Sequence, residues 1–154
     1  MTDEERISRA VELFRSGYNC SQAVVAAFAD RYGIAPDQAL LMSSSFGGGI
    51  GRMRLTCGAA CGMFMLAGLE TGTTDPKNRE AKANNYALVQ QLAEEFKQRN
   101  GALACGDLLG LARPGQPARK PKRPCAQIVE EAARIYAEAL RKRQIEAEQA
   151  TKSQ

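Results

Sequence analysis

The stretch CGAACGMFMLAGL, residues 57–69, decides the fold, because it is apolar on nearly every side when it is read as a helix. A helix without a polar face is stable only when other elements cover it all round. The sequence therefore predicts that this helix lies in the middle of a bundle.

The segments on both sides of it have the pattern of further helices. Thr2 with Glu5 makes a capping box for the first of them. Apolar residues then recur at helical spacing between breaks rich in glycine and proline, and no segment alternates apolar and polar residues as a strand does. The predicted fold is all-α, a single-domain helical bundle of about six or seven helices with no sheet.

The cap residues and the apolar positions also predict where helices begin and end. Asn19 is a preferred N-cap for the second helix. The last helix is predicted to begin near Cys125 and to fray after Arg143, where apolar positions become sparse. We therefore divide the chain into a helical cysteine-motif domain, residues 1–143, and a frayed C-terminal tail, residues 144–154.

Composition excludes several classes of function. The chain has 154 residues, of which 44% are hydrophobic and 25% charged, and none is histidine. A histidine base, a histidine metal ligand and a histidine-ligated haem are therefore excluded. No apolar run approaches the ~20 residues that span a bilayer. The acidic start MTDEER lacks the pattern of a signal peptide, so we expect a reducing, cytoplasmic location.

The charge distribution bears on partners. A net charge of +4 is too small to indicate nucleic acid by itself, and the basic segment from Arg113 to Arg123 has no aromatic residues to stack on bases. The expected partner is an unidentified redox partner or small-molecule substrate, with no nucleic acid and no membrane. A homodimer remains open, because small helical bundles often cover a spare apolar face by pairing.

Four of the five cysteines share one local environment. Cys20, Cys57, Cys105 and Cys125 all stand at predicted helix starts, where unpaired backbone amides and the helix dipole favour a thiolate. They are the candidate catalytic residues. Cys61 lies in mid-helix, four residues after Cys57, and is predicted to be a packing residue or at most an accessory thiol.

The spacing of the cysteines leaves a metal site as an alternative. No Cys-x-x-Cys pair occurs, so zinc ribbons, thioredoxin-like motifs and ferredoxin runs are not matched. A metal ion or an iron–sulfur cluster would need the fold to bring Cys20, Cys57, Cys105 and Cys125 together. The cofactor is accordingly left open between none and such a metal group.

The glycine-rich stretch GGGIGR, residues 47–52, is the other candidate element. It follows no strand and does not complete a nucleotide-binding motif, because Arg52 occupies the last glycine position. Two interpretations remain: backbone that approaches an anion, a cluster or a thiolate closely, or a flexible connector. Under the first interpretation, the cofactor-binding candidates are Gly47, Gly48, Gly49 and Arg52.

Taken together, these short motifs resemble one family of small bacterial and archaeal proteins. The matching stretches are NCSQAV (19–24), FGGGIGR (46–52), CGA (57–59) with Gly62, Phe96, Gly101, Cys105, LLG (108–110) and Cys125. The family is labelled by its pattern, C-GCAxxG-C-C, and is described as redox-active. The resemblance implies an all-helical protein whose four spaced cysteines are Cys20, Cys57, Cys105 and Cys125, with Cys61 outside the four. This chain reads Cys-Gly-Ala where the label reads Gly-Cys-Ala.

Three functions are compatible with the sequence. The first is thiol–disulfide redox chemistry at clustered helix-start thiols, which would make the protein a thiol-dependent oxidoreductase. The second is electron transfer by a bound metal or iron–sulfur cluster. The third is a non-catalytic helical interaction module whose cysteines are packed in the core.

Overall fold

The computed structural model describes residues 1–153, and it confirms the all-α prediction. This part of the chain forms seven α-helices and no strand. Two short 3₁₀ turns, Ala29–Tyr32 and Ser44–Phe46, extend the second and third helices. The helices are α1 Asp3–Arg15, α2 Cys20–Phe28, α3 Pro36–Ser43, α4 Gly58–Thr71, α5 Arg79–Asn100, α6 Cys105–Leu108 and α7 Cys125–Lys152.

Helix α4 lies at the centre of the bundle, as its apolar sequence predicts. It packs against α2, α5 and α7. Its first six residues, Gly58 to Met63, are all buried. The contact with α2 is close, because a Cβ on Gly62 would lie 3.0 Å from the Cβ of Val24. Small residues on α4 therefore bring the starts of α2 and α4 near one another.

The predicted helix starts at α1 and α2 are also confirmed. Thr2 and Glu5 form the capping box of α1. Asn19 and Gln22 form a second capping box, which fixes the first turn of α2 and therefore the position of Cys20. The Asn19 side chain also donates a hydrogen bond to the Ser44 carbonyl, 2.9 Å away. These bonds tie the start of α2 to the loop before α4.

The C-terminal end differs from the expected frayed tail. Helix α7 continues past Arg143 to Lys152, although every side chain from residue 141 to 153 is exposed. Glutamate, glutamine, alanine and lysine have high helix propensity, and Gln144 donates a hydrogen bond to Glu148 one turn later. Local propensity therefore extends the helix where core contacts have ended.

A short antiparallel pairing outside the helices positions the region before α4. The Cys57 amide donates to the Leu103 carbonyl over 2.9 Å, and the Cys105 amide donates to the Leu55 carbonyl over 2.6 Å. The pairing is an isolated bridge at Thr56. It holds Cys57 and Cys105 beside each other. No described helix is both long and apolar enough to cross a membrane.

Candidate functional site

One cavity brings the four helix-start cysteines together. Cys20, Cys57, Cys105 and Cys125 all line a space of about 360 Å³, and all are free thiols. Each comes from a different part of the chain, so the cavity exists only in the folded protein. The other lining residues are largely apolar; they are Phe14, Asn19, Gly48, Arg54, Leu108, Leu109 and Ile128.

Cys20 is the cysteine that the site favours as a thiolate. It is the first residue of α2, and it lines the cavity together with Cys57. Hydrogen bonding with the Cys57 thiol is the main cause that lowers the pKa of Cys20 to about 6. Burial opposes the shift, and backbone amides of Gly48, Ser21 and Cys20 itself add to it. A thiol with this pKa is mostly ionised at neutral pH.

Cys57 has the opposite character. It is the N-cap residue of α4 rather than its first helical residue. The hydrogen bond that it gives to Cys20, together with its burial and the charge on Cys20, raises its pKa well above the usual range. The Cys57 side chain does not cap α4 with a hydrogen bond. The nearby backbone amides of Ala59 and Ala60 lower its pKa, but they offset the increase only in part. The two sulfurs therefore share one proton, which Cys57 holds.

The sequence predicted that all four helix starts favour thiolates, and this is wrong for Cys57 and Cys125. Cys125 is the most exposed of the five cysteines. Its partial burial raises its pKa, electrostatic interactions with Cys20 and Cys105 act in the same direction, and Arg54 opposes them. The amides at a helix start cannot outweigh desolvation and neighbouring negative charge at these positions.

Cys105 contacts a cation instead of another sulfur. The Arg54 guanidinium donates to the Cys105 Sγ over 3.6 Å. Arg52 and Arg54 both lie close to Cys57 in the sequence and are two basic residues that could favour its thiolate. Both side chains are exposed, but the structure places only Arg54 in the cavity lining.

Cys61 lies apart from the other four. It does not line the cavity, and its thiol donates a long bond of 3.8 Å to the Thr56 carbonyl. Burial, and secondarily the charge on Cys20, raises its pKa to about 11. A thiol in this state is protonated at neutral pH, which suits the packing role predicted for it.

The glycine-rich loop packs directly against the cysteines. Residues 48–52 form a left-handed turn, with φ between 57° and 74°. A Cβ on Gly47 would lie 2.5 Å from the Asn19 side chain, and one on Gly49 would lie 2.5 Å from the Cys105 Cβ. Gly48 lines the cavity and directs its amide at Cys20. The loop thus approaches thiols at close range, as one of the two sequence interpretations describes.

Gly58 contributes to the site in a way that the sequence analysis missed. A Cβ at this position would overlap the Cys20 Sγ and would lie 2.6 Å from the Phe46 carbonyl oxygen. The absence of a side chain therefore allows Cys20 to reach Cys57. The signal in the sequence was a glycine directly after a helix-capping cysteine.

The metal alternative has no preformed site in this structure. Within residues 1–153, no group of three or more cysteine, aspartate or glutamate side chains is arranged to hold a metal ion. The four cysteines lie along the walls of the cavity and are not arranged as ligands of one metal ion.

The fold and site define an all-helical protein with a thiol-lined cavity, and comparison with known families agrees with this. The chain belongs to the family described as “Putative redox-active protein (C_GCAxxG_C_C)”, whose model matches residues 18–139. This confirms the resemblance recognised in the sequence. No curated protein and no solved structure matches the chain.

Proposed function

We propose that this protein is a thiol–disulfide oxidoreductase in which Cys20 is the nucleophile and Cys57 is the resolving thiol. The observation that carries the proposal is that Cys20 and Cys57 line one cavity, with the Cys20 Sγ packed against Gly58 directly beside Cys57; interaction with the Cys57 thiol there lowers the pKa of Cys20. A stabilised thiolate next to a protonated thiol is what a two-cysteine exchange reaction requires. The redox-active description of the family supports the same class of chemistry.

The reaction has two exchange steps. In the first, the Cys20 thiolate attacks one sulfur of a substrate disulfide, so that a mixed disulfide forms and one substrate thiolate leaves. In the second, Cys57 transfers its proton to that thiolate and attacks the Cys20 sulfur, which releases the second substrate thiolate. Two electrons pass to the substrate, and the protein is left with a Cys20–Cys57 disulfide. A thiol reductant returns it to the starting state.

The raised pKa of Cys57 supports a role in which this thiol becomes reactive only in the second step. The hydrogen bond to Cys20 and the charge on Cys20 both raise the pKa of Cys57. Once Cys20 is part of a mixed disulfide, its sulfur carries no negative charge, so it no longer raises the pKa of Cys57 in this way. The Cys57 thiol then loses its proton more readily, at the moment when it has to attack.

Histidine-free activation is part of the proposal. The chain contains no histidine to deprotonate a cysteine. The Cys57 thiol and the amide of Gly48 supply the stabilisation that an imidazole supplies in other thiol enzymes. The reducing cytoplasmic location expected from the sequence would keep both thiols reduced between turnovers.

The test is anaerobic oxidation of the reduced protein by the neutral probe bis(hydroxyethyl) disulfide, followed by peptide mapping with mass spectrometry. We expect a Cys20–Cys57 disulfide in the wild type and a trapped mixed disulfide on Cys20 in Cys57→Ala. Cys20→Ser should lose the fast reaction, whereas the matched control Cys61→Ser should retain it.

Three results would contradict the proposal. One is fast oxidation that persists without Cys20. Another is slow alkylation of all five cysteines in the native protein, which the interaction-module alternative predicts. The third is anaerobically purified protein that contains stoichiometric iron and sulfide or zinc by elemental analysis, which would support the metal alternative.

A further inference from the structure

Arg54 is the lining residue with a permanent charge in a cavity otherwise formed by apolar side chains, one amide side chain, a glycine and thiols. Its guanidinium donates to the Cys105 sulfur over 3.6 Å. A guanidinium has five N–H donors, so this contact leaves most of them free for another ligand. The guanidinium charge of Arg54 is therefore accessible to a molecule bound in the cavity.

Arg54 also lacks the carboxylate partners that a structural arginine has. Arg99, which is partly buried in its own surroundings, forms ion pairs with Glu95, Glu131 and Glu138. No ion pair joins Arg54 to any carboxylate within residues 1–153. Arg54 is exposed overall, and an accessible guanidinium that lines an apolar cavity without a carboxylate partner is free to bind an anion there.

The backbone of Arg54 is held in place from both sides. Its φ is 61°, a left-handed value that a residue with a side chain adopts only when its surroundings fix it. Its amide donates to the Gly48 carbonyl over 3.2 Å, and its carbonyl accepts from the Gly106 amide over 3.2 Å. Gly48 and Gly106 belong to the segments that carry the site, so the guanidinium and the reactive cysteines are positioned together.

We propose that Arg54 binds a carboxylate of the substrate, and that the substrate is a small acidic disulfide or the corresponding thiol. This inference rests on the activity proposed above and names the substrate class for it. A cavity of about 360 Å³ is near the lower end of ligand pockets, so it takes a small molecule rather than a protein segment. Because the Cys20 thiolate repels an anionic substrate, a cation in the same cavity is needed to offset that repulsion.

The proposal is tested with three small disulfides of similar length and different charge: dithiodipropionate (anionic), bis(hydroxyethyl) disulfide (neutral) and cystamine (cationic). The rate of Cys20–Cys57 disulfide formation is measured for the wild type, Arg54→Gln, Arg54→Lys and the matched control Arg52→Gln. Arg52 lies in the same loop, carries the same charge and is exposed like Arg54, but it does not line the cavity.

We expect the wild type to react about tenfold faster with dithiodipropionate than with cystamine, as a charge-assisted hydrogen bond implies. Arg54→Gln should lose this preference, and its rate should fall far more with the anionic disulfide than with the neutral one. Arg54→Lys should retain part of it, and Arg52→Gln should retain all of it. An equal loss in Arg52→Gln, or no loss in Arg54→Gln, would overturn the inference and leave the redox proposal standing.

A second measurement separates the two proposals. Suberate has the two carboxylates of dithiodipropionate without its sulfur atoms, so its binding to the reduced protein can be followed by NMR titration without any exchange reaction. We expect Arg54→Gln to weaken suberate binding about tenfold and Arg52→Gln to leave it unchanged. Suberate binding that needs Arg54, together with no oxidation by any disulfide, would support the anion site and refute the redox reaction. Binding that is independent of Arg54 would refute the anion site.

Discussion

The cavity contains two regions in which cysteines at helix starts meet different partners. In the first, the Cys57 thiol donates to the Cys20 sulfur, and the pKa of Cys20 falls to about 6. In the second, Cys105 contacts Arg54 and Cys125 lies exposed at the start of α7, where its pKa is raised. Similar local sequence therefore leads to different chemistry.

The difference shows that a helix N-terminus does not by itself make a reactive thiolate. Cys125 begins α7, the longest helix of the described chain, yet its pKa moves upward. Cys20 begins a much shorter helix, and its pKa moves downward because a thiol and several amides donate directly to its sulfur. Direct hydrogen bonds outweigh the macrodipole, whose contribution is typically only about 0.3–1 kcal/mol.

The strongest way to break the first region is Gly58→Ala. The new Cβ would overlap the Cys20 Sγ and approach the Phe46 carbonyl, so we expect a loss of about 1–3 kcal/mol in the free energy of unfolding and slower alkylation of Cys20. Urea unfolding and a timed alkylation assay measure the two effects. Gly68→Ala is the matched control on the same helix, since its Cβ would meet nothing within 4 Å, and it should be neutral or stabilising. Equal stability of the two variants would contradict the assigned packing.

The next largest effect is expected from Cys57→Ala, which removes the main donor to Cys20. The pKa of Cys20, about 6 in the wild type, should rise. Burial raises this pKa, and fewer hydrogen bonds would remain in the variant to lower it. The midpoint of iodoacetamide alkylation against pH, followed at Cys20 by mass spectrometry, should therefore move upward by about one unit or more.

Two variants make this result specific. Cys57→Ser retains a hydroxyl donor and should keep the midpoint closer to the wild-type value, and Cys105→Ala should leave it unchanged because Cys105 does not contribute to the Cys20 shift. If the midpoint is the same in Cys57→Ala and the wild type, Cys57 is not the group that stabilises the thiolate.

The smallest effect is expected in the second region, from Cys125→Ser. Cys125 is exposed and is not among the causes of the Cys20 pKa shift, so the alkylation midpoint of Cys20 should stay the same and the rate of Cys20–Cys57 disulfide formation should change by no more than about twofold. Peptide mapping after oxidation measures both. Loss of the disulfide in this variant would mean that the reactive pair includes Cys125, and the contrast between the two regions would then be wrong.

Much of the fold was predictable because its determinants are local. The all-round apolar stretch 57–69 predicted a central helix, and the N-cap residue Asn19 predicted the start of α2. The error at the C-terminal end has a local cause as well. The prediction of fraying after Arg143 relied on apolar contacts, whereas α7 continues on helix propensity alone.

The sequence predicted which cysteines form the candidate site, but it did not predict their protonation states or their neighbours. Helix starts singled out the four cysteines that line the cavity. The sequence offered no means to tell that Arg54 rather than Arg52 lines it, because both are basic residues of one loop whose left-handed turn decides their directions. Gly58 was passed over for a similar reason, since its role depends on how closely Cys20 approaches from another helix.

The amino-acid order alone determined which segments are helical and which cysteines begin them, because periodicity and capping act between residues a few positions apart. The tertiary structure decided which sulfur carries the negative charge and which keeps the proton. That division depends on burial and on hydrogen bonds between Cys20, Cys57 and Gly48, residues that become neighbours only when α2, α4 and the glycine-rich loop pack together.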